Sequence, residues 1–159
     1  MNHQAERILW SIAIPGFGQF LNQKYLKGIA LILLELLINN GSHLNQIILL
    51  SFQGRISQAI STTNYQWLMF YPCVYMFGIW DAYKDAGGTA PFAYLPFVLT
   101  AFFGTVGIMY SPLVRWNGRL LGPVWFPMLS STIGLLLGIL LSLCLHALHK
   151  ISKPSPYKS

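Results

Sequence analysis

Apolar stretches of fourteen residues or more, separated by short polar turns, dominate the chain. The first two, Ile8 to Leu21 and Leu26 to Asn39, have fourteen residues each and are joined by Asn22-Gln23-Lys24-Tyr25. At 1.5 Å per residue each predicts a helix of about 21 Å, short of the roughly 30 Å hydrocarbon core of a bilayer. Two paths fit this hairpin, residues 7–40. Either both arms cross a locally thinned bilayer, or the first is re-entrant and its Pro15-Gly16 break is covered by other helices.

Beyond Asn39-Asn40-Gly41-Ser42, the residues Leu44, Ile48, Phe52, Ile56 and Ile60 recur every fourth position with polar residues between them. This predicts an amphipathic helix over residues 44–60, lying in the interface or packed over the bundle mouth. Three long spans are expected next: Tyr65 to Ala82 with a kink at Pro72, Phe92 to Tyr110 between Pro91 and Pro112, and Val124 to Leu148 with Pro127 in its first turn. The basic tail, residues 150–159, contains Pro154 and Pro156 and is expected to be disordered. The predicted fold is all-α: a polytopic transmembrane helix bundle forming one membrane domain over residues 1–159.

Composition agrees with that pattern. Charged residues make up 9% of the chain and hydrophobic ones 54%, too few charges for a water-soluble surface. Residues 91–114 and 120–149 contain no Lys, Arg, Asp or Glu. The net charge of +6 comes from basic residues set singly between apolar segments, whereas nucleic-acid binding needs them gathered on one face. They are better read as setting orientation. With a cytoplasmic C-terminus, Lys24, Lys27, Lys84, Lys150, Lys153 and Lys158 lie inside and Arg55, Arg115 and Arg119 outside, the sense the positive-inside rule prefers. A re-entrant first arm puts Arg7 inside with four crossings, and a spanning one puts it outside with five. The five tryptophans all fall at or beside predicted segment ends. Cys73 and Cys144 sit within apolar spans and read as packing residues. Because no small-x-small cleavage site follows the first apolar run, that run is expected to be retained.

The segment Pro15-Gly16-Phe17-Gly18-Gln19-Phe20-Leu21-Asn22, continuing to Gly28, resembles the Pro-Gly-x-Gly-Gln-x-x-Asn hairpin that opens many small bacterial membrane proteins and precedes the permease domain of some sugar ABC transporters. Leu21 stands where relatives often carry tyrosine. The resemblance implies a multi-pass protein of the bacterial cytoplasmic membrane and implies no activity. The segment Asp81 to Gly88 resembles the coupling loop by which ABC permeases grip their ATPase. Asp81, Ala82 and Gly87 keep its spacing, while Leu95-Pro96 comes about four residues early. That likeness implies an ATPase partner, with Asp81, Lys84, Asp85 and Gly87 as the cytoplasmic contact loop. A capped helix end followed by a glycine turn explains the same residues.

Glu35 lies near the centre of the second arm, where a carboxylate must be protonated, face the bundle interior or find a partner. Asn39, one turn away, and Gln19 are the candidate partners, and the three form a candidate intramembrane polar site. It reads either as a proton or cation site or as a neutral hydrogen-bonded acid. Ser130, Gly134, Gly138 and Ser142 recur every fourth residue and predict a face for close helix packing within the chain or with another subunit. His146 and His149 complement the dipole at the end of the last helix, with no Asp, Glu or Cys at metal-ligand spacing.

No catalytic constellation, cofactor motif or metal motif appears in the sequence. The expected function is therefore that of a non-enzymatic structural or accessory membrane subunit. Its expected partners are the lipid bilayer and another membrane protein or an ATPase subunit, and not nucleic acid. The alternatives are a permease-like component of an ABC transporter and an ion-linked carrier using Glu35.

Overall fold

The computed structural model describes residues 3–152. The described chain is mostly helical, in the order α1 (His3–Ala13), α2 (Phe17–Leu21), α3 (Tyr25–Ser42), α4 (Leu44–Phe52), α5 (Ile56–Thr62), α6 (Tyr65–Leu68), α7 (Tyr71–Asp85), α8 (Tyr94–Tyr110) and α9 (Gly122–Ser152). One two-stranded antiparallel hairpin, β1 (Arg115–Trp116) and β2 (Arg119–Leu120), precedes α9.

The first arm turns back on itself. Pro15 and Gly16 interrupt it, and Gly16 takes φ 93°, a left-handed conformation that glycine reaches without steric strain. The Gln4 amide donates to the carbonyl of Gly87 at the end of α7, and the Tyr75 hydroxyl, deeper along α7, donates to the carbonyl of Ile12. The Asn22 amide then donates to the carbonyl of Ala82. Thus α1 descends beside α7 to the level of Tyr75, and α2 climbs back to the level of Ala82. The first arm therefore folds back on itself beside α7.

Helices α3, α7, α8 and α9 run antiparallel in succession. The molecule therefore has one end carrying Arg7, Lys24, Lys27, Lys84 and Lys150 and an opposite end carrying Arg55, Arg115 and Arg119. The second end is capped by α4, α5 and α6, whose Leu44, Ile47, Leu50, Ala59 and Leu68 form an apolar core with Ile108 of α8. Elsewhere the interior combines the aliphatic side chains of Leu31, Ile38 and Ile79 with small and polar residues. The most enclosed large side chains are Ile47, Gln19, Ser11, Ser42 and Ser111, while Leu33, Leu36, Leu37, Leu136, Leu140 and Leu143 point outward.

Several expectations are corrected. Three long spans are not supported: among the described residues only Gly122–Ile151, with mean hydropathy 2.2, is long and apolar enough to cross a membrane by length and composition, and Tyr94–Tyr110 is a shorter apolar helix. Residues 65–82 are split between α6 and α7 at Met69-Phe70. Pro72 lies in the first turn of α7, where its missing amide hydrogen breaks no helical bond, so there is no mid-span kink. The predicted helix over 44–60 is two helices, because Gly54 turns the chain with φ 73°. Its buried face is Leu44, Ile47, Leu50 and Ser51, while Phe52, expected on that face, is 67% exposed. The β-hairpin was not anticipated, although its Asn117-Gly118 turn, with φ 49° and 78°, is a strong hairpin signal. Of the expected disordered tail, residues 150–152 continue α9 and 153–159 lie outside the described residues.

The stripe Ser130, Gly134, Gly138 and Ser142 lies against α8. A Cβ at Gly134 would collide with the carbonyl oxygen of Leu99, and one at Gly138 would sit 2.5 Å from the Cα of Pro96. Ser142 donates to the carbonyl of Phe92. This face is filled within the chain and is not open to a second subunit. Gly138→Leu is expected to destabilise the fold by more than the roughly 1–3 kcal/mol typical of overpacking, because the obstacle is backbone. Leu136→Ile, at a position 62% exposed, should leave the melting temperature in detergent unchanged. Equal melting of the two variants would refute this account of the α8–α9 contact.

Candidate functional site

The densest polar arrangement joins the hairpin to the C-terminal half of α7. On α2, Gln19 is fully buried; its amide nitrogen donates to the carbonyl of Gly78 at 2.8 Å and to Asp81 Oδ2 at 3.1 Å. From the first turn of α3, Lys27 Nζ reaches Asp81 Oδ1 at 2.7 Å and Asp85 Oδ2 at 2.9 Å. Asn22, in the turn between α2 and α3, donates to the carbonyl of Ala82 and accepts from Arg7 Nε at 3.2 Å. Arg7 also donates to the carbonyl of Leu21 and pairs with Glu6. A latch of seven side chains thus holds α1, α2, α3 and α7 together.

The local sequence explains why the latch closes. Gly18 brings α2 against α1 and α7: a Cβ there would clash with the Ser11 hydroxyl and sit 2.7 Å from the carbonyl oxygen of Arg7 and 2.8 Å from the Cβ of Ala82. Gly16 and Gly28 perform the same service between the re-entrant tip and α3, where a Cβ on Gly16 would lie 2.6 Å from the carbonyl oxygen of Gly28. At this distance Gln19 reaches Gly78 directly. Asp81 and Asp85 are four apart on one face of α7, which lets a single ammonium bridge both.

Lys27 lies at the polar end of α3, ahead of its apolar stretch. Hydrogen bonds that it donates to Asp81 and then to Asp85 raise its pKa above the ordinary lysine value of 10.5, with burial opposing them. A raised folded-state pKa means that the contribution of this group is fully present below the ordinary lysine value and is lost as pH rises through the raised one.

The candidate intramembrane site does not assemble as expected. Gln19 is committed to Gly78 and Asp81. Asn39 pairs with Asn45, donating to its side chain while accepting from its backbone N–H at 3.2 Å, and so fixes the start of α4. Glu35 stands apart from both. It lines a narrow cleft with Pro15, Ile38, Tyr71, Val74 and Tyr75 that has no room for a water, and it makes no hydrogen bond or ion pair among the described residues.

The expected contact loop is likewise helical. Asp81, Lys84 and Asp85 belong to the last turns of α7; Asp81 is 8% exposed and Asp85 is paired. Gly87 begins the turn after the helix and receives Gln4 at its carbonyl. Only Lys84, stacked over the Trp80 ring at 5.1 Å, faces outward. His149 meets the ring edge of Phe92, and no group of three His, Cys, Asp or Glu suited to a metal occurs among the described residues.

The chain matches no family model, no curated protein and no solved structure.

The sequence reading missed the pairing of Lys27 with Asp81 and Asp85. A signal was present, since these acids are two of only four Asp and Glu residues in the chain and unpaired acids flanking an apolar helix call for a cation. Gln19→Leu, which keeps volume but removes the amide, is expected to lower stability by about 1–3 kcal/mol by leaving a buried carboxylate oxygen short of a donor. Lys27→Met should melt below the wild type up to about pH 10 and approach it above the ordinary lysine value. A stability gap independent of pH would show that the ammonium charge is not what Lys27 contributes.

Proposed function

We propose that this is a multi-pass protein of the bacterial cytoplasmic membrane that serves as a non-enzymatic structural or accessory subunit. The observation that carries the reading is the inverted distribution of side chains. Serine, glycine, glutamine and threonine occupy much of the helix interfaces, beside the buried Leu31, Ile38 and Ile79, and most leucines and isoleucines of α3 and α9 face outside. Water offers no reason for that arrangement, whereas in a bilayer lipid tails accept the leucines and small residues permit close packing.

In this setting α3 past Lys27, α7, α8 and α9 cross the membrane, and α1 and α2 form a re-entrant pair. The basic end faces the cytoplasm by the positive-inside rule, with α4 to α6 and the β-hairpin capping the other side. The crossings α3, α7 and α8 have 18, 15 and 17 residues. At 1.5 Å per residue they span about 23–27 Å, which a locally thinned bilayer accommodates.

The accessory role rests on how the polar groups are used. Gln19, Asn22, Lys27, Asp81 and Asp85 are all engaged in holding helices together, which leaves little charge at the bundle core for moving a solute. The resemblance to an ABC coupling loop loses its basis when Asp81 is enclosed in the latch. A second reading, an ion-linked carrier, is favoured by one observation: the unpaired Glu35 facing two tyrosines beneath the break at Pro15.

Topology can be tested with single cysteines in a Cys73→Ser, Cys144→Ser background. Thr89→Cys should resist an impermeant maleimide added outside intact cells, and Asn117→Cys should react. Labelling of both from one side would sink the proposed crossing pattern. For function, gentle extraction through an N-terminal tag followed by mass spectrometry is expected to recover another membrane protein in comparable amounts. Recovery of the chain alone, together with liposome ion flux abolished by Glu35→Gln, would replace the accessory reading with the carrier.

A further inference from the structure

Between α7 and α8 the outer surface opens into a groove of about 580 Å³, within the roughly 300–1,000 Å³ range of small-molecule sites. Its walls are apolar and aromatic: Phe77 and Trp80 from α7, Phe97, Ala101 and Phe102 from α8. Along α8 it runs from Tyr94 to Thr105, a rise of about 16 Å at 1.5 Å per residue. That is close to half of the roughly 30 Å hydrocarbon core, or one leaflet.

A second hollow continues from the first at the basic end of the molecule, sharing Trp80 and Tyr94 with it. This one is polar, with Lys84, Thr89, Tyr83 and the backbone of Gly88 on its walls. Lys84 makes no ion pair among the described residues. The nearby carboxylates, Asp81 and Asp85, are both taken by Lys27. An apolar slot one leaflet deep therefore ends in an uncompensated ammonium beside hydroxyl donors, at the level where tryptophan and tyrosine favour the headgroup region.

We propose that this groove binds an anionic phospholipid, with one acyl chain between α7 and α8 and the phosphate at Lys84 and Thr89. The proposal rests on the membrane reading above. A partner helix fits the groove poorly, since close helix approach in lipid uses small residues and those of α8 already face α9. A flexible chain fits between bulky rings, and an anionic headgroup complements the lysine at the basic end.

The test is native mass spectrometry of the full chain, delipidated in non-ionic detergent and titrated with dioleoyl phosphatidylglycerol or dioleoyl phosphatidylcholine. One phosphatidylglycerol should be retained about fivefold more strongly than phosphatidylcholine, the share one lysine contributes near an anionic surface. Lys84→Gln should bring the two lipids level, and Ala101→Trp should remove the retained lipid of either kind. If Ala101→Trp does not give a monodisperse peak, a bulky maleimide on Cys73, which lines the groove, blocks it in the folded Cys144→Ser protein. Equal retention of the two lipids by the wild type, or a lipid that survives the block, overturns the proposal. So does efficient Cys73 disulfide cross-linking between copies in native membranes, which would place a second chain in the groove. Retention of the protein in membranes through alkaline carbonate washing tests the membrane reading separately.

Discussion

The fold-back of the N-terminal arm depends on one contact, the grip of Gln19 and Lys27 on the face of α7 that carries Gly78, Asp81 and Asp85. A helix broken at Pro15 and Gly16 leaves carbonyls without their usual donors and has no reason to fold back unless something holds the returning strand of chain. Gln19 supplies that hold where α2 is most enclosed, and Lys27 supplies it where α3 begins. Because both reach Asp81, the folded-back pair α1–α2 and α3 cannot shift relative to each other without breaking the same carboxylate's bonds. The energetic asymmetry favours a rigid joint. A satisfied pair of this kind adds little net stability, while removal of one partner leaves a charge in poor surroundings.

The C-terminal half is held by a different device. Between α8 and α9 no charge is involved; Gly134 and Gly138 admit the backbone of Leu99 and Pro96, and Ser142 bonds the carbonyl of Phe92. Dispersion over a long close contact does here what hydrogen bonds do at the latch. The two devices meet at the seam between α7 and α8, which carries the aromatic groove on its outer side. The apolar cap of α4, α5 and α6 closes the far end of that seam through Leu68 and Ile108.

Much of the helical layout was legible in the sequence because it follows from local rules. The Pro15-Gly16 break, the Asn22 turn, the start of α8 near Pro91 and the small-residue stripe of α9 are set by backbone sterics or by side-chain size at helical spacing. The errors arose where tertiary contact overrode local pattern. A four-residue recurrence from Leu44 to Ile60 predicts one continuous stripe, yet Gly54 ends the helix and burial follows Leu44, Ile47 and Leu50. Pro72 looked like a kink only because residues 65–82 read as one helix. The partners assigned to Glu35 failed for the same reason. Gln19 and Asn39 flank it in sequence, but the returning α2 carries Gln19 to the opposite level of α7, and Asn39 is needed at the start of α4.

Asp81 and Glu35 show how the structure separates an architectural acid from one free to act. Both lie on apolar helices, and sequence alone marks Glu35 as the unusual one. Asp81 is the more buried, but each of its oxygens meets a donor and a lysine neutralises it, so its charge is spent on position. Glu35 is half-buried and has tyrosines and aliphatic side chains around it, in a narrow cleft beside Pro15. On the proposed membrane reading, wider access to it requires the cleft to open. The latch opposes that opening, because the tip at Pro15 is carried by the same α2 that Gln19 fixes to α7. An immobile tip makes Glu35 a packing residue; a tip that swings free of Gly78 would favour a proton or cation site. The strength of the Gln19 contact therefore decides between the two roles open to Glu35.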